Sequence, residues 1–244
     1  MRKSEWEMAK SPGPGKCVHC LAEVAERNWD HVFPQSWYPD STPPNIEKWE
    51  IPSCIPCNSS YGKIENDFRI LMGLCLEREN PASRSIVEAA IRSIDPAKGK
   101  NPSDAQKRLD KLLKLMSQTV HRAQIREKNL YPGMPQHDIP TEDLVPVLIP
   151  ADYFPRMAQK IVRGIFYIQE EGKFIEPPYE IAWHLPTETV TVHFQKLLDE
   201  FGTICARGPG LVVQYAVTED NEFASLFRIA FWEQVTMYAT VTCE

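Results

Sequence analysis

The sequence contains no long apolar run, no internal repeat and no low-complexity tract. No hydrophobic stretch approaches the roughly 20 residues that a membrane-spanning helix requires, so we expect no such helix. Residues 1–5 lack the apolar core of a secretory signal peptide. We therefore expect a cytoplasmic protein with no membrane association, in a compartment where thiols stay reduced.

The bulk composition is ordinary for a globular protein, with 43% hydrophobic and 25% charged residues among 244. The net charge of −6 argues against a general nucleic-acid binder. However, residues 151–244 hold 7 basic and 13 acidic side chains, whereas residues 84–130 hold 11 basic and 5 acidic ones. This basic segment is either a phosphate-binding surface or a solvated helix face, and both alternatives remain open.

Four of the seven cysteines form two Cys-x-x-Cys pairs that are separated by 33 residues. Each pair can present two thiolates from one tight turn, and two pairs complete a tetrahedral sulfur site that suits zinc. Because all four positions are then filled, the expected role is structural. The predicted zinc ligands are Cys17, Cys20, Cys54 and Cys57. His19, inside the first pair, is an alternative ligand, although we expect a surface role for it.

Residues with metal-binding and proton-transfer chemistry lie between and just after these cysteine pairs. The Asp30 carboxylate is a hard ligand for Mg²⁺ or Mn²⁺, and the adjacent His31 could take a proton from water. Asn58, directly after Cys57, offers an amide oxygen at the predicted start of a helix. A metal ion, a base and a rigid scaffold are sufficient to cleave a phosphodiester bond.

The apolar periodicity predicts an α+β protein. A helix follows Cys57, further helices are expected over 84–95 and 103–128, and Ser103 or Asn101 could cap the last of these. The apolar stripe of that helix predicts core packing and consists of Leu109, Leu112, Leu113 and Met116. In the C-terminal part, helices are predicted over about 155–170 and 193–201, and strands over 211–217, 225–232 and 235–242. The last two strands are expected to form a hairpin.

The predicted domain organisation has three parts. Residues 1–130 form a zinc-stapled domain with appended helices, and residues 131–150, which contain five prolines, form a linker. Residues 151–244 form a smaller α+β domain that ends in antiparallel strands. This acidic domain is a poor DNA-binding surface, and it is expected to sense a ligand, to form a homodimer or to bind a regulatory protein partner.

The pattern Cys-x-x-Cys, Asp-His-x-x-Pro-x-Ser, Asn, Cys-x-x-Cys-Asn, Lys resembles the HNH endonuclease family, also called the ββα-metal nucleases. The resemblance covers about residues 15–70. The matching residues are Cys17, Cys20, Asp30, His31, Pro34, Ser36, Asn45, Cys54, Cys57, Asn58 and Lys63. It implies a ββα-metal fold in the N-terminal domain and metal-dependent hydrolysis of phosphodiester bonds, with DNA as the expected substrate.

The resemblance also implies individual roles. His31 matches the general base that activates water, and Asp30 and Asn58 match the ligands of a catalytic Mg²⁺ or Mn²⁺ ion. Asn45 matches the residue that braces the loop and orients the base. The chain departs from the family in that Lys63 lies five residues after Asn58, where many members have a lysine three residues after.

The predicted contacts to nucleic acid are Lys63, Lys107, Lys111 and Lys114. An alternative function is a non-catalytic module, in which the zinc-stabilised fold binds nucleic acid or protein and the Asp-His pair is incidental. This alternative predicts one tightly bound zinc ion, no dependence on Mg²⁺ or Mn²⁺, and binding without turnover.

Overall fold

The computed structural model describes residues 10–121, 131–132, 145–218 and 224–243. Residues 133–144 of the predicted linker and residues 122–128 of the helix predicted over 103–128 lie outside these ranges. Among the described residues, no helix combines the length and the apolarity that crossing a bilayer requires.

The N-terminal part is built from two small antiparallel sheets and a long helix. Strands β1 (Gly15–Lys16) and β2 (Glu23–Val24) flank the first cysteine pair. Strands β3 (Arg27–His31) and β4 (Glu50–Cys54) pair so that His31 lies opposite Glu50. Helix α1 (Ile55–Gly73) follows β4 without a loop. A proline in the first turn favours a helix start here. Backbone N–H groups in the first turn have no partner within the helix, so the N–H that proline lacks is not needed there.

Two further helices follow, and two predictions about them are wrong: the second helix, expected over 103–128, ends at Ser117, and its apolar stripe is not in the core. Helix α2 spans Arg84–Ile94 and α3 spans Pro102–Ser117, with the Asn101 side chain accepting the cap hydrogen bond. The apolar stripe of α3 was expected in the core, yet α3 has no buried residue, and Leu113 and Met116 are 54% and 59% exposed. The periodicity identified the helix correctly but could not show whether another element covers its apolar face.

The C-terminal part is an antiparallel sheet with two helices, and the mixed α+β class is confirmed. Its elements are α4 (Tyr153–Gln169), β5 (Tyr179–His184), α5 (Glu188–Phe201), β6 (Thr203–Ala206), β7 (Leu211–Val217), β8 (Ser225–Phe231) and β9 (Val235–Cys243). The strand order is β5-β9-β8-β7-β6. The predicted β8–β9 hairpin is confirmed. The edge strands β5 and β6 were not predicted, because β5 has no fully buried residue and β6 exposes three of its four residues.

One hydrophobic core joins residues from both predicted domains. The ring of Trp37 stacks on Phe68 at 5.2 Å between centroids and meets the edge of Phe231 at 5.4 Å. Phe68 in turn contacts Phe154 of α4 at 5.2 Å. The loop between β3 and β4, helix α1, helix α4 and the sheet therefore bury their apolar surfaces against one another.

Helix α4 crosses closely over the β3–β4 hairpin, and Gly164 permits this approach. A Cβ atom at Gly164 would lie 2.7 Å from Cγ2 of Val32 and 3.3 Å from Cδ1 of Ile51, and both of those side chains are fully buried. Lys160 lies one helical turn before Gly164 on the same face. The close crossing thus brings Lys160 against the end of β3.

Candidate functional site

The four predicted zinc ligands converge in space. The sulfur atoms of Cys17, Cys20, Cys54 and Cys57 all lie within 4.8 Å of one another, and those of Cys20 and Cys54 are 3.9 Å apart. Thiolates around a tetrahedral zinc ion are about 3.8 Å apart, as Zn–S bonds of about 2.3 Å require. The cluster could therefore hold a structural metal ion such as zinc, and its four sulfurs would leave no open position.

The electrostatics of the cluster favour thiolate at one ligand. Burial alone would raise the pKa of the Cys17 thiol, but backbone hydrogen bonds outweigh burial and lower this pKa to about 7. One of these bonds runs 3.2 Å from the amide of Cys54 to the Cys17 sulfur. Burial, together with the neighbouring thiols, raises the pKa of Cys57. A bound cation would favour deprotonation of every thiol in the cluster.

Asp30 is buried, and both of its carboxylate oxygens have partners. Its Oδ2 lies 2.8 Å from Nε2 of His19, and its Oδ1 accepts a hydrogen bond of 2.9 Å from Nζ of Lys160. The same ammonium group contacts the carboxylate of Glu65 in α1. Asp30, His19 and Lys160 are 5%, 8% and 1% exposed. The expected surface role of His19 is therefore wrong, because the turn between the first two cysteines directs its ring inward onto Asp30.

The protonation states in this cluster follow from its contacts. Burial would raise the pKa of Asp30, but the hydrogen bond from His19 and the charge of Lys160 outweigh burial and lower it. Burial lowers the pKa of His19, although Asp30 partly opposes this effect. An ionised carboxylate only accepts hydrogen bonds, so the neutral His19 carries its proton on Nε2 and donates it to Asp30.

His31 faces away from this cluster, as alternation along a strand requires. Its side chain is 21% exposed and lies 3.5 Å from the carboxylate of Glu50. The Gln35 amide nitrogen donates to its Nε2 at 2.7 Å. Burial lowers the pKa of His31, with Glu50 partly opposing this shift. The neutral imidazole thus has its lone pair on Nε2, where it accepts from Gln35, and Nδ1 is buried with no partner among the described residues. A lone pair on a ring nitrogen is what a general base requires.

Asn58 and Asn45 are the two remaining predicted site residues. Asn58 is half-buried in the first turn of α1, and helical spacing puts it on the same face as Glu65, two turns further on. Asn45 is exposed in the loop before β4, and Gln35 is the residue that contacts His31. The orienting role predicted for Asn45 stays a prediction.

The predicted nucleic-acid contacts lie at the surface. Lys63 is exposed on α1, and Lys107 and Lys111 border an open cleft on α3 that Asp104 and Asp110 also line. A fourth lysine of the set, Lys114, forms an ion pair with Asp67 of α1. These acidic neighbours reduce the positive potential of the helix face, so the phosphate-binding role of these lysines stays a prediction.

Sequence reasoning missed Lys160, which is 130 residues away from Asp30 in the chain. One signal could have identified it. Lys160 stands within the apolar stripe that includes Met157, Ile161 and Ile165, and these three residues are buried. A lysine on the apolar face of a helix requires a buried partner of opposite charge.

The described side chains do not fit a divalent metal ion at Asp30 as they stand. An ammonium group already lies on one carboxylate oxygen and an imidazole on the other, and a nearby positive charge repels a divalent cation. Among the described His, Cys, Asp and Glu residues, only the four cysteines bring three or more ligand atoms within 4.8 Å of one another. The four-cysteine site fits its metal, whereas the predicted catalytic metal site is closed by Lys160.

Comparison with models of protein families, with curated proteins and with solved structures gave no match to this chain.

Proposed function

We propose that this protein is a metal-dependent HNH-type endonuclease that hydrolyses phosphodiester bonds in DNA, with His31 as the general base. The observation that supports this proposal most directly is the environment of His31. Its imidazole is partly exposed at the end of β3, with the Gln35 amide 2.7 Å from Nε2 and the Glu50 carboxylate 3.5 Å from the same atom. The order β3, β4, α1 around a four-cysteine cluster, with Asn58 in the first turn of α1, agrees with the arrangement that the resemblance implies.

The residues around His31 suit proton transfer from water. A water molecule that replaces the Gln35 amide at Nε2 would donate its proton to His31 as its oxygen attacks phosphorus. The phosphorus–oxygen bond to the leaving group then breaks, and the proton stays on the imidazole. The Glu50 carboxylate, 3.5 Å from the ring, would stabilise the imidazolium that forms.

The Mg²⁺ or Mn²⁺ ion of this proposal would be held by Asp30 and Asn58. Because Lys160 contacts Asp30, this part of the proposal requires that the ammonium group withdraws first. DNA is the proposed substrate, with Lys63 and the lysines of α3 as proposed phosphate contacts. A homodimer or a regulatory partner of the C-terminal domain is a further part of the proposal that rests on the sequence alone.

The experiment that tests the proposal is a plasmid-nicking assay with Mg²⁺, with Mn²⁺ and with EDTA. The wild type is compared with His31→Ala and with the control His193→Ala, since His193 is exposed on α5. Loss of a general base lowers the rate by about 10²- to 10⁴-fold. We expect that loss for His31→Ala, an unchanged rate for His193→Ala, and the same zinc content in all three proteins.

Equal nicking by wild type and His31→Ala would overturn the assignment of the base. Nicking that persists in EDTA would overturn the metal dependence, whereas a loss of nicking in EDTA supports it where the zinc content is retained. In both comparisons, zinc content and circular dichroism are measured on the same samples, which separates a loss of catalysis from a loss of fold.

A second candidate is a non-catalytic module that binds nucleic acid, and the contact between Lys160 and Asp30 favours it. A carboxylate that already contacts a buried ammonium group is a poor ligand for a metal ion. This candidate predicts that a labelled DNA duplex raises its fluorescence anisotropy on binding, equally with and without Mg²⁺, and is recovered uncut. Cleavage of that duplex in Mg²⁺ would exclude the candidate.

A further inference from the structure

The cation of the Asp30 cluster belongs to the protein itself. Lys160 is 1% exposed, and its ammonium group contacts the carboxylates of both Asp30 and Glu65. It also lies 5.5 Å from the centre of the Tyr61 ring, whose face attracts cations. Burying an ammonium group without such partners is highly unfavourable, so this pocket is organised around a positive charge.

A divalent ion and this ammonium group compete for the same ligands. Carboxylate oxygens are what Mg²⁺ and Mn²⁺ bind, and the Oδ1 atom of Asp30 lies 2.9 Å from Nζ of Lys160. Both carboxylates contact the same ammonium group, so a divalent ion at that position would contact the same two side chains. Only without the ammonium group would the pocket offer its carboxylate oxygens to a divalent ion, because mutual repulsion allows only one of the two cations at a time.

Helix α4 holds Lys160 in place. The neighbouring Met157 and Ile161 are 1% exposed, and Gly164 lies against Val32 with no room for a Cβ atom. The Arg156 side chain also donates a hydrogen bond of 2.7 Å to the hydroxyl of Ser60 in α1. The ammonium group thus cannot leave through rotation of an exposed side chain, and withdrawal requires α4 to shift relative to β3 and α1.

We propose that Asp30 and Glu65 form a latent divalent-cation site whose resident cation is Lys160, so that α4 keeps the site closed to Mg²⁺ and Mn²⁺. The consequence for catalysis rests on the proposed nuclease function: wild-type protein is held in a low-activity state until α4 shifts. The cation site itself does not depend on that function, because it concerns only which positive charge the two carboxylates bind.

The test measures Mn²⁺ binding to the zinc-loaded full-length protein by electron paramagnetic resonance and by thermal unfolding. The variant is Lys160→Met, which removes the ammonium group and keeps an apolar side chain of similar length. The matched control is Lys114→Met, which removes another lysine that pairs with an aspartate but lies at the surface. The double variant Lys160→Met with Asp30→Asn removes the metal ligand as well.

We expect Lys160→Met to bind one Mn²⁺ ion per chain at least about tenfold more tightly than the wild type. An ion that binds only the folded state raises the unfolding temperature, so Mn²⁺ should stabilise this variant. It should not stabilise the wild type, Lys114→Met or the double variant. If Lys160→Met does not fold, Lys160→Gln, which can still hydrogen-bond to both carboxylates, is measured in the same way.

Equal Mn²⁺ affinity of wild type and Lys160→Met would overturn the inference, and so would the absence of binding in both Lys160 variants. The nicking assay separates this result from the proposed function. Variants that bind Mn²⁺ without nicking DNA would support the latent site and contradict the nuclease. Metal-dependent nicking by a wild type that binds Mn²⁺ as tightly as Lys160→Met would support the nuclease and contradict the latent site.

Discussion

The indole nitrogen of Trp232 donates a hydrogen bond of 2.8 Å to the carbonyl oxygen of Trp37, across 195 residues of sequence. Both side chains are fully buried, and their rings are 5.6 Å apart. The bond ties the β8–β9 turn of the C-terminal sheet to the loop that links β3 to β4. The loop beside the candidate site is therefore supported by the C-terminal part of the chain.

The first prediction concerns this support. Trp232→Phe keeps most of the apolar surface but leaves the Trp37 carbonyl buried without its donor, which costs about 1–3 kcal/mol. We expect a decrease in the free energy of unfolding of that size in urea titrations. Phe201→Ala, at a side chain that is 65% exposed, is the control and should change stability by less than about 0.5 kcal/mol.

A chain truncated near residue 150 should not fold, because the core would lose Phe154 and Phe231.

The second prediction compares two helical glycines. Gly164→Ala would force a methyl group against the buried Val32, and overpacking of this kind costs about 1–3 kcal/mol. Gly62→Ala on α1 adds a methyl group that meets nothing within 4 Å, and helix propensity alone should stabilise the protein by about 0.5–1 kcal/mol. Chemical denaturation of both variants tests this contrast. Equal effects would mean that α4 does not cross β3 as closely as the contact between Gly164 and Val32 indicates.

The third prediction concerns the cysteine cluster. We expect about one zinc ion per chain by elemental analysis, and a substoichiometric content in Cys57→Ser. Removal of the metal by a chelator should lower the unfolding temperature strongly, because metal binding at structural sites contributes on the order of 10 kcal/mol to folding. Cys243→Ser, outside the cluster, should retain full zinc content and wild-type stability. A wild-type protein that unfolds identically with and without chelator would contradict the structural role.

The fourth prediction concerns pH. Burial lowers the pKa of His184 below its ordinary value of 6.5, and the ring lies 2.9 Å from the hydroxyl of Thr240. The unfolded chain then binds a proton more readily than the folded protein. The stability contribution of His184 is therefore fully present above pH 6.5 and is lost as the pH falls from 6.5 through the lower folded-state pKa.

Substitution of His184 by Gln should reduce this loss, because the amide can contact Thr240 and does not titrate. The measurement is the difference in unfolding free energy between wild type and variant at several pH values from about 7.5 to about 5, which spans the titration of an ordinary histidine. Contributions of other groups cancel in this difference. His193→Gln, at an exposed position on α5, is the control, and a difference that does not vary with pH would refute the prediction.

The sequence by itself determined the local elements of this protein. The two Cys-x-x-Cys pairs, the helix after Cys57 and the β8–β9 hairpin all follow from short-range spacing, and the structure confirms each of them. Such features depend on backbone geometry over a few residues, which the residue types already specify.

Only the tertiary structure decided which faces are covered and which charges meet. It turned His19 inward, left Leu113 and Met116 of the α3 stripe exposed, and placed Lys160 on Asp30 across 130 residues of sequence. Periodicity shows that a helix has an apolar face or carries a lysine, but the partner of that face depends on how distant elements pack. The environment of the candidate site was therefore set by the crossing of α4 over β3, which no local pattern encodes.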